Sequence, residues 1–191
     1  MRAIAIIHDE HRSLAAVLHG LLYLMRQSRD KGVPPNFPTL SAMLYYIDAF
    51  PERFHHPKED AYLFRLLGLR CPGATALIEQ LKAEHRSSAE KIRALEQALE
   101  RYRDGGEAEF PAFAEAAQAY AAFHWNHMRV EEDTLIPLAR EHLTADDWRE
   151  IEAAFAGHSD PLFGAEAEAE YNNLFRRIVN IAPPPIGLGP A

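Results

Sequence analysis

Three turn-forming stretches, "DKGVPPNFP" (Asp30 to Pro38), "GLRCPG" (Gly68 to Gly73) and "DGGEAEFP" (Asp104 to Pro111), cut most of this chain into long segments with almost no glycine or proline inside them. Between these turns the apolar residues step by three and four. In the first segment they run Ile4, Ile7, Leu14, Leu18, Leu22 and Met25; in the third Leu81, Ile92, Leu95, Leu99 and Tyr102; in the fourth Phe113, Ala117, Tyr120, Leu135 and Leu138. Amphipathic helices of this length, joined by short turns, bury their stripes against one another. The pattern predicts an all-α fold, an antiparallel four-helix bundle running up-down-up-down.

The bundle is expected over residues 1–143. "TADDWREIEAAF" opens on an N-cap residue, Thr144, and predicts a fifth, short helix. With a further helical stretch from Glu166 to Ile181 it forms a C-terminal helical extension over 144–182, and the Pro/Gly-rich end, 183–191, is expected to be mobile. None of these pieces could bury a core alone, so the chain of 191 residues reads as one domain.

The stripes have gaps, and the gaps are filled by ligand-type residues. His11 occupies the missing position in the first segment and His85 in the third. In the fourth, the steps 113, 117, 120, 124, 127, 131, 135 and 138 place His124, His127 and Glu131 on the buried face. In "FHHPKEDAYLF" of the second segment, His55 and Glu59 are four apart and share a face. Counting from the turns, His11 and His55 lie about 19 and 17 residues from the first, His55 and His85 about 12 each from the second, and His85 and His127 about 18 each from the third. At roughly 1.5 Å of rise per residue, all four histidines reach one depth.

A single buried histidine is ordinarily a hydrogen-bonded core residue. Six ligand-type groups at one level are another matter, because an unpaired polar group in a helical core costs roughly 2 to 7 kcal/mol, and a charge more. A pair of metal cations would satisfy them together: imidazole suits iron, zinc or copper, and carboxylates bridge ions. A dinuclear site is the natural arrangement for four imidazoles and two carboxylates. Ferritin-like bundles use Glu-x-x-His on each of two helices, whereas Glu52 and His55 make the one such pair on these helices; no zinc-protease, phosphate-cradling or nucleophile-elbow motif is present.

"HDEHRSL", "FHHPKEDAYLF", "AEHRSS" and "HMRVEEDTLIP" together resemble, in order and spacing, the helical motifs of the hemerythrin-like (HHE cation-binding) proteins. The resemblance covers roughly Ile6 to Leu143, and "DDW" to "DPLFG" is similar to a tail found in some bacterial members. It implies a non-haem di-iron centre, with two iron ions as cofactor, His11, His55, His85 and His127 as terminal ligands, and Glu59 and Glu131 as bridges. The H-x-x-x-E spacing selects Glu131 over Glu132, which is expected to point off the seam.

Oxygen-carrying hemerythrins are expected to use five histidines with one Glu and one Asp bridge, including an extra H-x-x-x-H pair. Here the third segment offers His85 alone, and both bridges are Glu. The four-His, two-Glu set is similar to the iron-centre repair and nitric-oxide-response members, and fewer ligands leave positions open for O2, NO or peroxide. His8 and His124, each three residues before a ligand, read as extra ligands or as hydrogen-bonding neighbours of the ligands. His56 is expected to point mainly off the seam, in a structural role before that of an extra ligand or a hydrogen-bonding neighbour of the ligands, with Pro57 kinking its helix. His19, His142 and His158 read as core-edge or surface residues, and Tyr45, Tyr46, Tyr120 and Trp125 as core aromatics that could face the site.

Net charge of −8 argues against nucleic acid or an anionic membrane as partner. The lone Cys71 forms no internal disulfide, and the apolar runs are too short for a signal peptide or a membrane span, so a cytoplasmic location is expected. Two functions fit. One is a di-iron protein that binds or reacts with O2, NO or peroxide in sensing, stress response or iron-centre repair, drawing on an external electron donor. The other is a metal-responsive module whose fold and partner binding follow metal occupancy.

Overall fold

The computed structural model describes residues 1–33 and 35–156, and all regular structure among them is helical. The first segment is one α-helix, Arg2–Lys31. It stops at Gly32, whose left-handed φ of 64° lets its N–H reach the Ser28 carbonyl at 3.1 Å while Val33 reaches Gln27 at 3.4 Å. Glycine adopts that conformation without the Cβ clash another residue would meet. Asn36 then caps the second segment, its side chain accepting from the Thr39 N–H at 3.0 Å.

The second segment starts as an α-helix, Phe37–Ile47, widens to π-helical turns at Asp48–His55, narrows at His56–Lys58, widens again at Glu59–Phe64 and ends as Arg65–Arg70. The third is an unbroken α-helix, Thr75–Gly105. The fourth runs as Phe110–Val130, a π-helical Glu131–Leu135 and Ile136–His142. Two of the widened stretches end immediately before an X-Pro pair. The His56 N–H bonds the Pro51 carbonyl just ahead of Pro57, and the Ile136 N–H bonds the Glu131 carbonyl just ahead of Pro137. A proline leaves the carbonyl four residues back without its donor, and the irregularity expected at Pro57 takes the form of these widened turns.

In the fourth segment the buried face runs from Leu135 to Ala139, both fully buried, with Leu138 half-buried and packed against the same cluster. Two apolar clusters result. One gathers Leu14, Leu18, Leu21, Leu44, Ile47, Ile92, Leu95 and Phe113; the other gathers Ile4, Ile7, Phe64, Leu67, Leu81, Leu135 and Ile136. His11 falls in sequence between Ile7 and Leu14, and His85 between Leu81 and Ile92, so a polar layer divides the core. Burial of each large side chain on either side stabilises the fold by about 1.5 to 3 kcal/mol, which lets the core tolerate that layer.

The helix expected after Thr144 is Ala145–Phe155. Thr144 and Asp147 cap it reciprocally, the Thr144 N–H donating to Asp147 at 2.9 Å and the Asp147 N–H to Thr144 Oγ1 at 3.3 Å. Arg70 grips the same carboxylate with two bonds, 2.8 and 3.0 Å, and holds its pKa well below the usual range. Trp148, Ile151 and Phe155 close over the second cluster. Thr144→Ala is expected to cost about 1 kcal/mol and lower the melting temperature by about 2 to 4 °C, read by thermal denaturation. The expected helix from Glu166, the chain end and His158 lie outside the described residues. Among those described, no helix is long and apolar enough to cross a membrane.

Candidate metal centre

His11 comes from the first segment, His55 and Glu59 from the second, His85 from the third, and His127 and Glu131 from the fourth; all six are buried. Their inner atoms form two groups that share both carboxylates: His11, His55, Glu59 and Glu131 in one, and His85, His127, Glu59 and Glu131 in the other. Within the first group the His11 and His55 Nε2 atoms are 3.2 Å apart, and within the second the His85 and His127 Nε2 atoms are 3.1 Å apart. Glu59 sets one oxygen 3.3 Å from His55 and the other 3.6 Å from His85. Glu131 sets Oε2 3.3 Å from His11, and Oε1 3.3 Å from His127 and 3.7 Å from His85. Each carboxylate therefore spans the two histidine pairs.

The outer nitrogens are held by a second set of carboxylates, arranged as a closed circuit. Glu10 on the first segment accepts from His55 Nδ1 on the second at 2.7 Å. Asp60 on the second accepts from His85 on the third at 3.0 Å, and Glu84 on the third from His127 on the fourth at 2.8 Å. Glu132 on the fourth accepts from His11 on the first at 2.8 Å. Each of these acids is the chain neighbour of an inner residue: Glu10 of His11, Asp60 of Glu59, Glu84 of His85, Glu132 of Glu131. A helix that offers one group inward can thus use the adjacent residue, about 100° round, to orient the imidazole of the next helix. Glu132 does lie off the seam, but it is half-buried and engaged.

This circuit fixes the chemistry of the interior. An imidazole whose Nδ1–H donates to a carboxylate carries, when neutral, a lone pair on Nε2. Four such lone pairs meet four carboxylate oxygens, and none of the Glu59 or Glu131 oxygens has a hydrogen-bond partner. Metal cations, or protons on the imidazoles, would balance that converging negative density. Two ligand atoms each about 2.1 Å from one ion, at angles near 90 to 110°, lie about 3.0 to 3.4 Å apart, which matches the observed nitrogen pairs. The residues present fit a pair of metal ions.

With protons in place of metal, the same geometry shifts the titrations. Burial opposes charge on His127, yet the Glu131 carboxylate 3.3 Å away and the hydrogen bond to Glu84 push the pKa up to about 10. Burial likewise opposes charge on His11, His55 and His85, and their carboxylate partners outweigh it, raising all three. Glu131 is held well below the carboxylate range by His127, His11 and His85 against the effect of its own burial. Glu84→Ala, which frees His127 Nδ1 without touching an inner residue, is expected to weaken metal affinity by about 10- to 100-fold, measured by chelator competition.

The other histidines divide. His8 is half-exposed, with Nδ1 3.4 Å from Glu132, and joins neither group. His124 is fully buried but bonds Ser88 Oγ through Nε2 at 2.9 Å, and also joins neither group. His56 departs from expectation: it is buried, because the widened turns bring it inward with His55. One of its nitrogens comes within 4.8 Å of the His85 and His127 ligand atoms, but its ring stacks on His85 at 4.0 Å and 13°. Parallel rings at that separation cannot both hold one ion in their planes, so His56 braces His85. Tyr46 and Tyr120 are buried, Tyr45 is exposed, and the Trp125 ring lies tilted by 31° against the exposed His19 at 4.9 Å. His142 is exposed.

Compared with known families, residues 2–139 match the hemerythrin HHE cation binding domain. No curated protein and no solved structure matches the chain.

Proposed function

The chain belongs to the hemerythrin HHE cation-binding family, and from that premise we propose that it is a non-haem di-iron protein that binds or reacts with O2, NO or peroxide. His11 and His55 would hold one iron, His85 and His127 the other, with Glu59 and Glu131 shared between them. The observation that carries this reading is the sharing of both carboxylates by the two ligand groups. The helices are taken as an antiparallel up-down-up-down bundle, the arrangement in which ligands at equal distances from the turns meet at one depth. When bound, the ions supply a redox-active Lewis-acid pair for small ligands.

The chain's own residues set the terms of that chemistry. The outer carboxylates hold the imidazoles by Nδ1 and turn their Nε2 atoms toward Glu59 and Glu131, and the buried position excludes bulk water. Four imidazoles and two carboxylates are fewer protein ligands than an oxygen carrier's set, and would leave room at a bound pair for a small ligand, which favours reaction over reversible carriage, in sensing, stress response or iron-centre repair, in the cytoplasm and with an external electron donor. Anaerobic reduction followed by titration with O2, NO or peroxide tests this: the loaded protein should show new charge-transfer absorption with at least one of them. An unchanged spectrum from a fully loaded site would end this reading.

A second reading, a metal-responsive module, draws on one contact. Lys58, the chain neighbour of Glu59, places Nζ 3.7 Å from the Phe54 ring centroid and 5.8 Å from that of Phe155, at the end of Ala145–Phe155. Metal at Glu59 would stiffen the surface on which this helix rests. Limited proteolysis should then cut beyond Phe155 faster in the metal-free protein; equal cleavage in both forms would exclude it.

A further inference from the structure

One turn from the metal layer lies a second polar layer that the ligand set does not use. Glu52 is three residues before His55, Ser88 three after His85, and His124 three before His127; His56, the chain neighbour of His55, borders it on the metal side and Tyr120, one turn before His124, on the other. The corresponding position on the first segment is Leu14, an ordinary core residue. Ser88 and His124 are fully buried, Tyr120 and His56 nearly so, and the Glu52 side chain is 10% exposed.

Ser88 sits at the centre. Its hydroxyl is 2.9 Å from His124 Nε2 and lies beside Glu52 and Tyr120. The Tyr120 ring packs on His124 at 4.5 Å, and Glu52 Oε1 is 3.7 Å from His56 Nδ1, too far for a hydrogen bond. Four atoms in this layer have no hydrogen-bond partner: Glu52 Oε1, His56 Nδ1, Tyr120 Oη and His124 Nδ1. Buried polar atoms without partners are costly, and four of them, on two segments, are donors and acceptors that one small guest would satisfy.

The chemistry of the lining selects that guest. A hydroxyl, a carboxylate and two imidazole nitrogens ask for a molecule that both donates and accepts hydrogen bonds. NO and O2 do neither well, and an anion would face Glu52. A small uncharged hydroxylic molecule satisfies them. Through His56, stacked on His85, the layer adjoins the ligand group of His85 and His127.

We propose that Glu52, His56, Ser88, Tyr120 and His124 line a second, non-metal site that binds hydrogen peroxide beside the metal pair. Water is the other small hydroxylic molecule that could fill it. The site rests on the di-iron reading for the fate of its guest and not for its binding.

The test uses crystals of the full chain loaded with zinc, which does not consume peroxide, grown in buffer and then soaked in hydrogen peroxide, with zinc counted on the same preparation. The expected result is non-protein density within hydrogen-bonding distance of Tyr120 Oη and His124 Nδ1, spherical in buffer and lengthened to two atoms after the soak. Tyr120→Phe and Ser88→Ala, singly, should each lose the two-atom density and keep the zinc. Spherical density in both arms, meaning water alone, or no density in either, overturns the proposal. Two-atom density in a chain that retains no zinc would uphold it and count against the dinuclear reading instead.

Discussion

Glu131→Ala is expected to remove both metal ions at once, not one. Its Oε2 faces His11 and its Oε1 faces His127 and His85, so a single substitution withdraws a ligand from each group. Metal content by mass spectrometry should fall to background, while Glu84→Ala keeps bound metal at lower affinity. The metal-free fold should suffer too. The buried carboxylate that sustains charge on His127 is gone, and leaving a buried charge without its partner costs about 3 to 5 kcal/mol. Denaturant titration of the metal-free proteins reads that loss. A variant that keeps one tightly held ion would show that the carboxylate does not bridge.

The second large effect is on pH. Without metal, His127 has its folded pKa raised to about 10, and His11, His55 and His85 are raised as well. A raised folded pKa contributes stability that is fully present below the unfolded value, about 6.5, and is lost as pH climbs through the folded one. Glu131 runs the other way: its depressed pKa contributes stability above about 4.5 that is lost as pH falls through the folded value. The metal-free chain should therefore lose stability as pH rises from about 6.5 towards 10. Metal demands the same imidazoles without their protons, so binding releases protons and the apparent affinity should improve by about tenfold per pH unit for each proton released. Loaded and metal-free melting curves should draw together at pH 6 and separate at pH 8. If the gap between them is the same at both, the imidazoles do not exchange protons for metal.

The inward set was legible because it obeys two simple rules. Apolar stripes with steps of three and four identified the buried faces, and counting residues from the turns brought His11, His55, His85 and His127 to one depth. The outer carboxylates escaped that reasoning, since a stripe treats Glu10, Asp60, Glu84 and Glu132 as the solvent side. The signal was nevertheless there: every acid in the circuit sits beside an inner residue, in Glu10-His11, Glu59-Asp60, Glu84-His85 and Glu131-Glu132. His56 was misplaced for a different reason. Stripe counting assumes 3.6 residues per turn, and the widened turn ahead of Pro57 takes His56 away from that register. The proline could have warned of an irregularity, but not that it would carry His56 inward against His85.

The central claim is that two ions share Glu59 and Glu131. The most direct measurement is the anomalous scattering of iron in crystals of the protein reconstituted anaerobically with ferrous iron. The account predicts two iron peaks per chain, one beside the His11 and His55 Nε2 atoms and one beside those of His85 and His127, with Glu59 and Glu131 contacting both. A single peak, or two peaks with either carboxylate bound to one iron alone, would contradict it.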